Sequence, residues 1–242
     1  MCGRYTLISD RRAVARLLAL DDAPELFPRY NVAPTLSILA VRQGAEKREA
    51  VTLQWGLFPS WSKEASGSGL INARAETVAD KPAFRSAFRR RRCLVPADGF
   101  FEWQARPRGK QPFLFRRPDG APFAIAGLWE TWTAPDGSAV ETCALLTTQA
   151  NAVVRPVHER MPVLLGGADF GHWLDPAAAS EDLLSLLRPA AEDDLTALAV
   201  QPFVNSARHE GPRCIEPAPA DAGQRELWTD GHNPTSPQHQ QG

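Results

Sequence analysis

An α+β domain dominated by strands, with barrel-like antiparallel sheets and a few flanking helices, is the architecture this sequence predicts. Three observations carry that prediction. Short apolar runs follow one another through tight turns of Pro, Gly and Asp: RPRGK at 106–110, RPDGA at 117–121 and APDG at 134–137. Few segments have helical periodicity, and they do not alternate with the strands as in a doubly wound sheet. No linker divides the 242 residues, a length that one well-buried core can fill.

The elements read in order as follows. Residues 10–20, DRRAVARLLAL, predict a short helix with Asp10 as N-cap and Val14, Leu17 and Leu18 facing inward. Strands are predicted at 35–41 and 49–55, joined by a polar turn around Gly44. SKEASGSG at 62–69 reads as a flexible loop. Residues 82–91 predict a helix opened by Pro82, with Phe84 and Phe88 one turn apart. Strands follow at 93–103, 112–117, 121–128 and 139–148. A helix capped by Ser180 is predicted over 180–188, and a last strand over 196–203 leads into VNSARHEGPRC. The domain is expected to span 1–216. The remainder, 217–242, is rich in Pro, Gln, Gly and His and is predicted to be a disordered tail.

Composition narrows the class. Apolar residues make up 43% of the chain and charged residues 23%, ordinary values for a globular protein. No apolar run approaches the roughly 18–20 residues that span a bilayer, and MCGRYTLISD has no apolar core of the signal-peptide type. A cytoplasmic location, or a nucleoid-associated one, and no membrane partner are therefore predicted. The four cysteines, Cys2, Cys93, Cys143 and Cys214, form no CxxC pair and lie at no zinc-finger spacing from a histidine. No metal site and no cofactor are expected. Cys93 and Cys143 sit in strand-like apolar runs and read as core. A monomer is expected, since the turns are polar and no heptad pattern appears.

Net charge is −1, but it is unevenly spread. Residues 216–242 hold four acids and one base, which leaves +2 on residues 1–215. Arg85, Arg89, Arg90, Arg91 and Arg92 crowd one segment, which reads either as a phosphate-pairing patch or as a solvated helix face.

The chemistry begins at Cys2. Once Met1 is removed, that residue carries a free α-amine and a thiol on one carbon skeleton. An α-amine has a pKa of about 7.7–8.0, so a useful fraction is neutral at pH 7. It can condense with an aldehyde to an imine. The thiol can then add to the imine carbon and close a thiazolidine, an intramolecular step favoured by proximity. Gly3 lets another backbone or a ligand approach closely. The bland alternative is a cysteine that merely begins the chain.

Other polar residues stand among apolar ones, where burial without partners is costly. They are Asn72 and Arg74 in LINARAET, Glu102 in DGFFEW and His158 in VHERMP. A carboxylate flanked by Phe101 and Trp103 is prone to a raised pKa and can hold or deliver a proton. A histidine can move protons near neutrality. Glu102 reads equally as an outward-facing strand residue, and His158 as a capped loop histidine. Trp55, Trp61 and Trp103 interleave with Arg4, Arg74, Arg106 and Arg160, which suits a single strand with unstacked bases. Trp55 is expected in the core and Trp61 exposed.

Seven segments together resemble the SOS-response-associated peptidase (SRAP) family. They are CGRYTL at 2–7, RYNVAPT at 29–35, WGLFPSW at 55–61, INARAET at 71–77, CLVPADGFFEW at 93–103, HERMPVLL at 158–165 and VNSARHEGPRCIEP at 204–217. The resemblance implies covalent capture of abasic sites in single-stranded DNA. It implies Cys2, Asn72, Glu102 and His158 as catalytic residues. It also implies Arg4, Arg74 and Arg160 as phosphate contacts, and Pro34, Trp61 and Trp103 as residues that bend the strand or stack on bases. Two other functions fit the same residues: an N-terminal-cysteine peptidase that acts on its own Met1, and a non-catalytic binder of modified DNA.

Overall fold

Strand pairing organises the chain in the computed structural model, which describes residues 2–64, 67–107 and 109–219. The strands are β1 (Tyr5–Leu7), β2 (Arg29–Val32), β3 (Ser37–Gln43), β4 (Arg48–Trp55), β5 (Asn72–Arg74), β6 (Arg92–Ala97), β7 (Gly99–Arg106), β8 (Gly109–Arg116), β9 (Phe123–Thr133), β10 (Ala139–Gln149), β11 (Arg160–Pro162), β12 (Leu164–Leu165) and β13 (Thr196–Ala199). The helices are α1 (Arg11–Leu18), α2 (Arg85–Arg90), α3 (Phe170–Leu174) and α4 (Ser180–Ser185). None is long and apolar enough to cross a membrane, among the described residues.

Five strands close into a barrel. β3 pairs antiparallel with β4 and β6, β6 with β9, and β9 with β10. β10 then meets β4 in parallel, with Thr142 and Cys143 against Gln54 and Trp55, and the ring is complete. β5 and β11 extend the far end of β10, and β12 pairs with β9. A second sheet, in the order β13–β8–β7–β1–β2, packs on this barrel. One hydrophobic core runs through both, with Tyr5 of the sheet 5.5 Å from Trp55 of the barrel between ring centroids. Trp55 is fully buried, and its indole N–H donates to the carbonyl of Ile71 at 2.9 Å.

The strand-dominated, barrel-like α+β architecture is as predicted, with local corrections. The run 93–103 is two strands, because the chain leaves the barrel and joins the second sheet at Asp98–Gly99. A Cβ on Gly99 would stand 2.7 Å from Leu114 Cδ1 and 2.9 Å from the Phe115 carbonyl oxygen, so only glycine lets β7 lie this close to β8. Asp10 does cap α1, accepting from the Ala13 amide at 2.8 Å, and Val14 and Leu18 are buried. Ser180 makes no capping bond; the cap position is Ala179. α2 begins three residues after Pro82, past a turn. The start of the predicted tail is paired, since Pro217 bridges Val200 and the Ala218 amide donates to the Ala199 carbonyl. The expected disorder otherwise falls on residues 220–242, which lie outside the described residues.

The arginine cluster divides. Arg85, Arg89 and Arg90 are exposed, whereas Arg91 pairs with Glu130 at 2.6 Å. Arg92 is neither a phosphate ligand nor part of a solvated face. It is buried, and it donates to the carbonyls of Phe88 and Trp173 at 2.6 Å each and to that of Asp175. These carbonyls lie at the C-terminal ends of α2 and α3, where a cation is favoured. Arg92 thus ties both helices to β6. Arg92→Ala is expected to lower stability by about 3 kcal/mol, read from a urea unfolding midpoint, because buried carbonyls lose charged donors. An unchanged midpoint would mean that water replaces the guanidinium.

Candidate active site

The amino-terminal segment is held in register from its far end. The Asp98 carboxylate accepts from the amides of Ile8 and Ser9, at 2.6 and 2.9 Å, and from the Ser9 hydroxyl. The Asp98 amide donates to the Thr6 carbonyl at 2.8 Å, and Phe101 to the Arg4 carbonyl at 3.0 Å. β1 therefore runs antiparallel to β7 with Tyr5 opposite Phe100. This register carries the chain back along β7, and Cys2 comes close enough to Glu102 for their charges to interact.

Cys2 is fully buried. Asn72, the first residue of β5, donates from Nδ2 to the Cys2 carbonyl oxygen at 2.9 Å. The Asn72 Oδ1 is buried and accepts no hydrogen bond within the described residues. Burial is the main cause that pushes the Cys2 thiol well above its ordinary value, and the neighbouring Glu102 carboxylate adds to it. The Glu102 side chain is itself buried, which raises its carboxyl to about 7. Cys2, Asn72 and Glu102 thus meet between the barrel and the second sheet.

β5 and β11 lie along the same stretch of β10: β5 pairs with Leu145–Thr147 and β11 with Thr147–Gln149. His158 lies two residues before the start of β11. Its Nδ1 lies 3.0 Å from the Arg160 amide nitrogen and 3.2 Å from the Arg160 carbonyl oxygen, which fixes the ring against the start of β11. Burial lowers the pKa of this histidine, so the ring is predominantly neutral near pH 7.

Arg160 is occupied within the protein. Its guanidinium forms a two-pronged pair with Glu76, at 2.7 and 3.0 Å, and donates to the Thr147 carbonyl at 2.6 Å. This pairing holds the Glu76 carboxyl below the usual carboxylate range. Arg74 is exposed on β5, two residues beyond Asn72 and hence on the same face of the strand. Arg4 lies over Trp103, with its Cζ 5.7 Å from the ring centroid. The two residues join Gly3, Lys110 and Asn205 in lining a groove of about 500 Å³.

Pro34 and Trp61 stand on segments that meet at Trp55–Leu57. Thr35 has φ 74°, a left-handed conformation unusual for a β-branched residue. Its amide donates to the Trp55 carbonyl at 2.7 Å, which holds the turn in place. Trp61 is 67% exposed, as expected, and Leu36 and Leu70 add further exposed apolar surface. The structure therefore gathers Cys2, Asn72 and Glu102 directly and sets His158 at the approach to β11, which pairs with β10 next to β5. Arg4 and Trp103 line one groove beside Gly3, and Pro34 and Trp61 stand near the end of β4. Sequence reasoning missed Asn31, Glu76 and Asn205. The signal for Asn31 was present, as a polar residue between Tyr30 and Val32 in a strand-like run.

These features define a strand-built domain in which Cys2 is enclosed with a carboxyl and a carboxamide. The family model described as SOS response associated peptidase (SRAP) matches residues 1–207, and the chain belongs to that family. It is 39% identical over 222 residues to the abasic site processing protein YoqW of Bacillus subtilis (strain 168), covering 89% of this chain and 99% of that protein. It is 31% identical to the abasic site processing protein HMCES of Mus musculus, covering 90% of this chain and 76% of that protein. Among solved structures, a Bordetella bronchiseptica protein superposes with a TM-score of 0.73 at 30% identity, covering 83% of this chain and 100% of the other. A Bacteroides thetaiotaomicron protein superposes with a TM-score of 0.78 at 24% identity, covering 90% of this chain and 100% of the other, and shows the shared fold.

Proposed function

We propose that this protein captures abasic sites in single-stranded DNA as a covalent adduct on Cys2, formed after removal of Met1, and so shields the lesion from strand cleavage. The observation that carries this reading is the enclosure of Cys2 with Asn72 and Glu102. The names of the relatives, abasic site processing proteins, agree with it.

The ring-opened abasic sugar offers an aldehyde at C1′. The Cys2 α-amine attacks that carbon, and the carbinolamine loses water to give an imine. The thiol then adds to the imine carbon while its proton passes to nitrogen, closing the thiazolidine. The product is protein plus DNA minus one water. Glu102, titrating near 7, accepts the proton of the ammonium and returns one to the departing hydroxyl. His158 assists the opening of the closed sugar by proton transfer, the ring oxygen gaining a proton as the C1′ hydroxyl loses one. Asn72 holds the Cys2 carbonyl and keeps Oδ1 for the amine. Arg4 and Arg74 pair with flanking phosphates, and Trp61 and Trp103 present surfaces on which bases stack.

The peptidase reading uses the α-amine as base for an attacking thiolate. Burial pushes the Cys2 thiol up and keeps it protonated, which favours attack by the amine first. The test mixes wild-type and Cys2→Ala protein with an oligonucleotide carrying one abasic site, followed by a denaturing gel and intact mass spectrometry. A shifted band that depends on Cys2, with the mass of protein plus DNA minus water, is expected. Cys2→Ser retains the amine but closes the ring poorly, so strand cleavage through the open imine is expected in place of a stable band. Wild-type protein shown to lack Met1 yet giving no band would sink the proposal.

A further inference from the structure

The segment after β13 reaches back across the sheet to the groove beside Cys2. It comprises two 3₁₀ turns, Pro202–Asn205 and Pro212–Ile215, and the loop between them. Residues 208–216 lie past the stretch matched by the family model. The loop is braced on itself: His209 stacks on Phe203 with ring centroids 4.1 Å apart, and Arg213 lies over the same ring. Glu210 Oε1 accepts from the Tyr30 amide at 2.5 Å, which ties the loop to the edge strand β2.

Two asparagines connect this loop to the DNA-facing pair. Asn31 is buried, and its whole carboxamide is engaged. Oδ1 accepts from Arg4 Nη1 at 2.8 Å, while Nδ2 donates to the carbonyls of Ser206 and His209 at 3.0 and 2.8 Å. Arg4 Nη1 also donates to the Val204 carbonyl at 3.1 Å. Asn205 Oδ1 accepts the Trp103 indole N–H at 2.7 Å. Four residues of this segment thus hold the aromatic and cationic groups of the groove: Asn205 holds Trp103, Val204 holds Arg4 directly, and Ser206 and His209 hold Arg4 through Asn31.

We infer that Asn205, braced by Asn31, is a positioning residue that fixes Trp103 and Arg4 in the orientation in which they receive single-stranded DNA. The inference rests on the function proposed above. It has a consequence for selectivity. With its indole N–H taken by Asn205, Trp103 presents a π-face and no group that reads a base edge, so stacking on Trp103 does not itself discriminate among bases.

The test uses the exposed substitution Asn205→Ala in the full-length protein. Its readouts are adduct formation with an abasic-site oligonucleotide and the Trp103 indole N–H resonance, assigned by its loss in Trp103→Phe. Asn205→Ala is expected to raise the half-saturating DNA concentration about fivefold, the effect of one hydrogen bond. The rate at saturating DNA should be unchanged, and the Trp103 indole proton should shift upfield and exchange faster. In a Trp103→Phe background the same substitution should have no further effect. Asn31→Ala should release the same indole resonance. An unchanged half-saturating concentration, or losses that simply multiply in the double variant, would overturn the inference. Failure of the wild-type protein to form any adduct would instead overturn the proposed function, while the indole resonance still reports on the Asn205–Trp103 bond.

Discussion

One glycine left ahead of Cys2 by a cleaved tag is expected to slow formation of the stable adduct by about a thousandfold or more, since it removes an intramolecular ring closure worth a large effective concentration. The nitrogen of Cys2 would then be an amide without a basic lone pair. The new terminal amine could still meet an aldehyde, but its thiol partner would lie one residue away and could not close a five-membered ring. Intact mass spectrometry verifies the terminus, and a time course on a denaturing gel gives the rate. An unaffected rate would remove the Cys2 α-amine from the mechanism. The enclosure of Cys2 makes a second contribution, because an added residue must also be accommodated beside Glu102 and Asn72.

Glu102→Gln is expected to move activity and stability in opposite directions. Loss of the acid–base group should slow adduct formation at pH 7 by about a hundredfold or more, with non-covalent DNA binding retained. Stability follows from the raised carboxyl. Folding lifts its pKa from 4.5 to about 7, so the folded protein binds that proton more tightly than the unfolded chain. The stability this group contributes is fully present below about pH 4.5 and is lost as the pH rises through 7. The loss amounts to about 3 kcal/mol at pH 8, taking 1.36 kcal/mol per pKa unit. Glutamine has no proton to lose. The variant should therefore be the more stable protein at pH 8, and the difference should vanish near pH 4.5. Unfolding midpoints at the two pH values check this. A variant less stable than wild type at pH 8 would make Glu102 a structural residue.

The sequence made the barrel strands legible because they are long enough to show apolar runs and turn signals: 139–148 and 49–55 fall close to β10 and β4. β1, β2, β5, β11 and β12 escaped notice, since two to four residues carry no readable period and their pairing is set by distant strands. Those short strands are the ones that build the site. Cys2 and Glu102 attracted attention through their chemistry, but only the family resemblance selected one function from three. Arg92 shows the limit from the other side. It stood in a run of four consecutive arginines, and nothing in that run distinguished the one that turns inward to cap two helices. Asn205 was invisible, because its partner Trp103 lies 102 residues away.

The parallel seam that closes the barrel also sets an order of assembly. β1 finds its partners in β2 and β7, and the asparagine that holds the Cys2 carbonyl is itself braced by Leu145–Thr147 of β10. Until Thr147 has been synthesised, the seam between β4 and β10 is open and the amino terminus has no pocket to enter. Contacts this distant in sequence form late in folding. The segment around Cys2 thus remains accessible until the chain has been made as far as β10. Removal of Met1, on which the proposed chemistry depends, fits that interval, before the fold encloses Cys2.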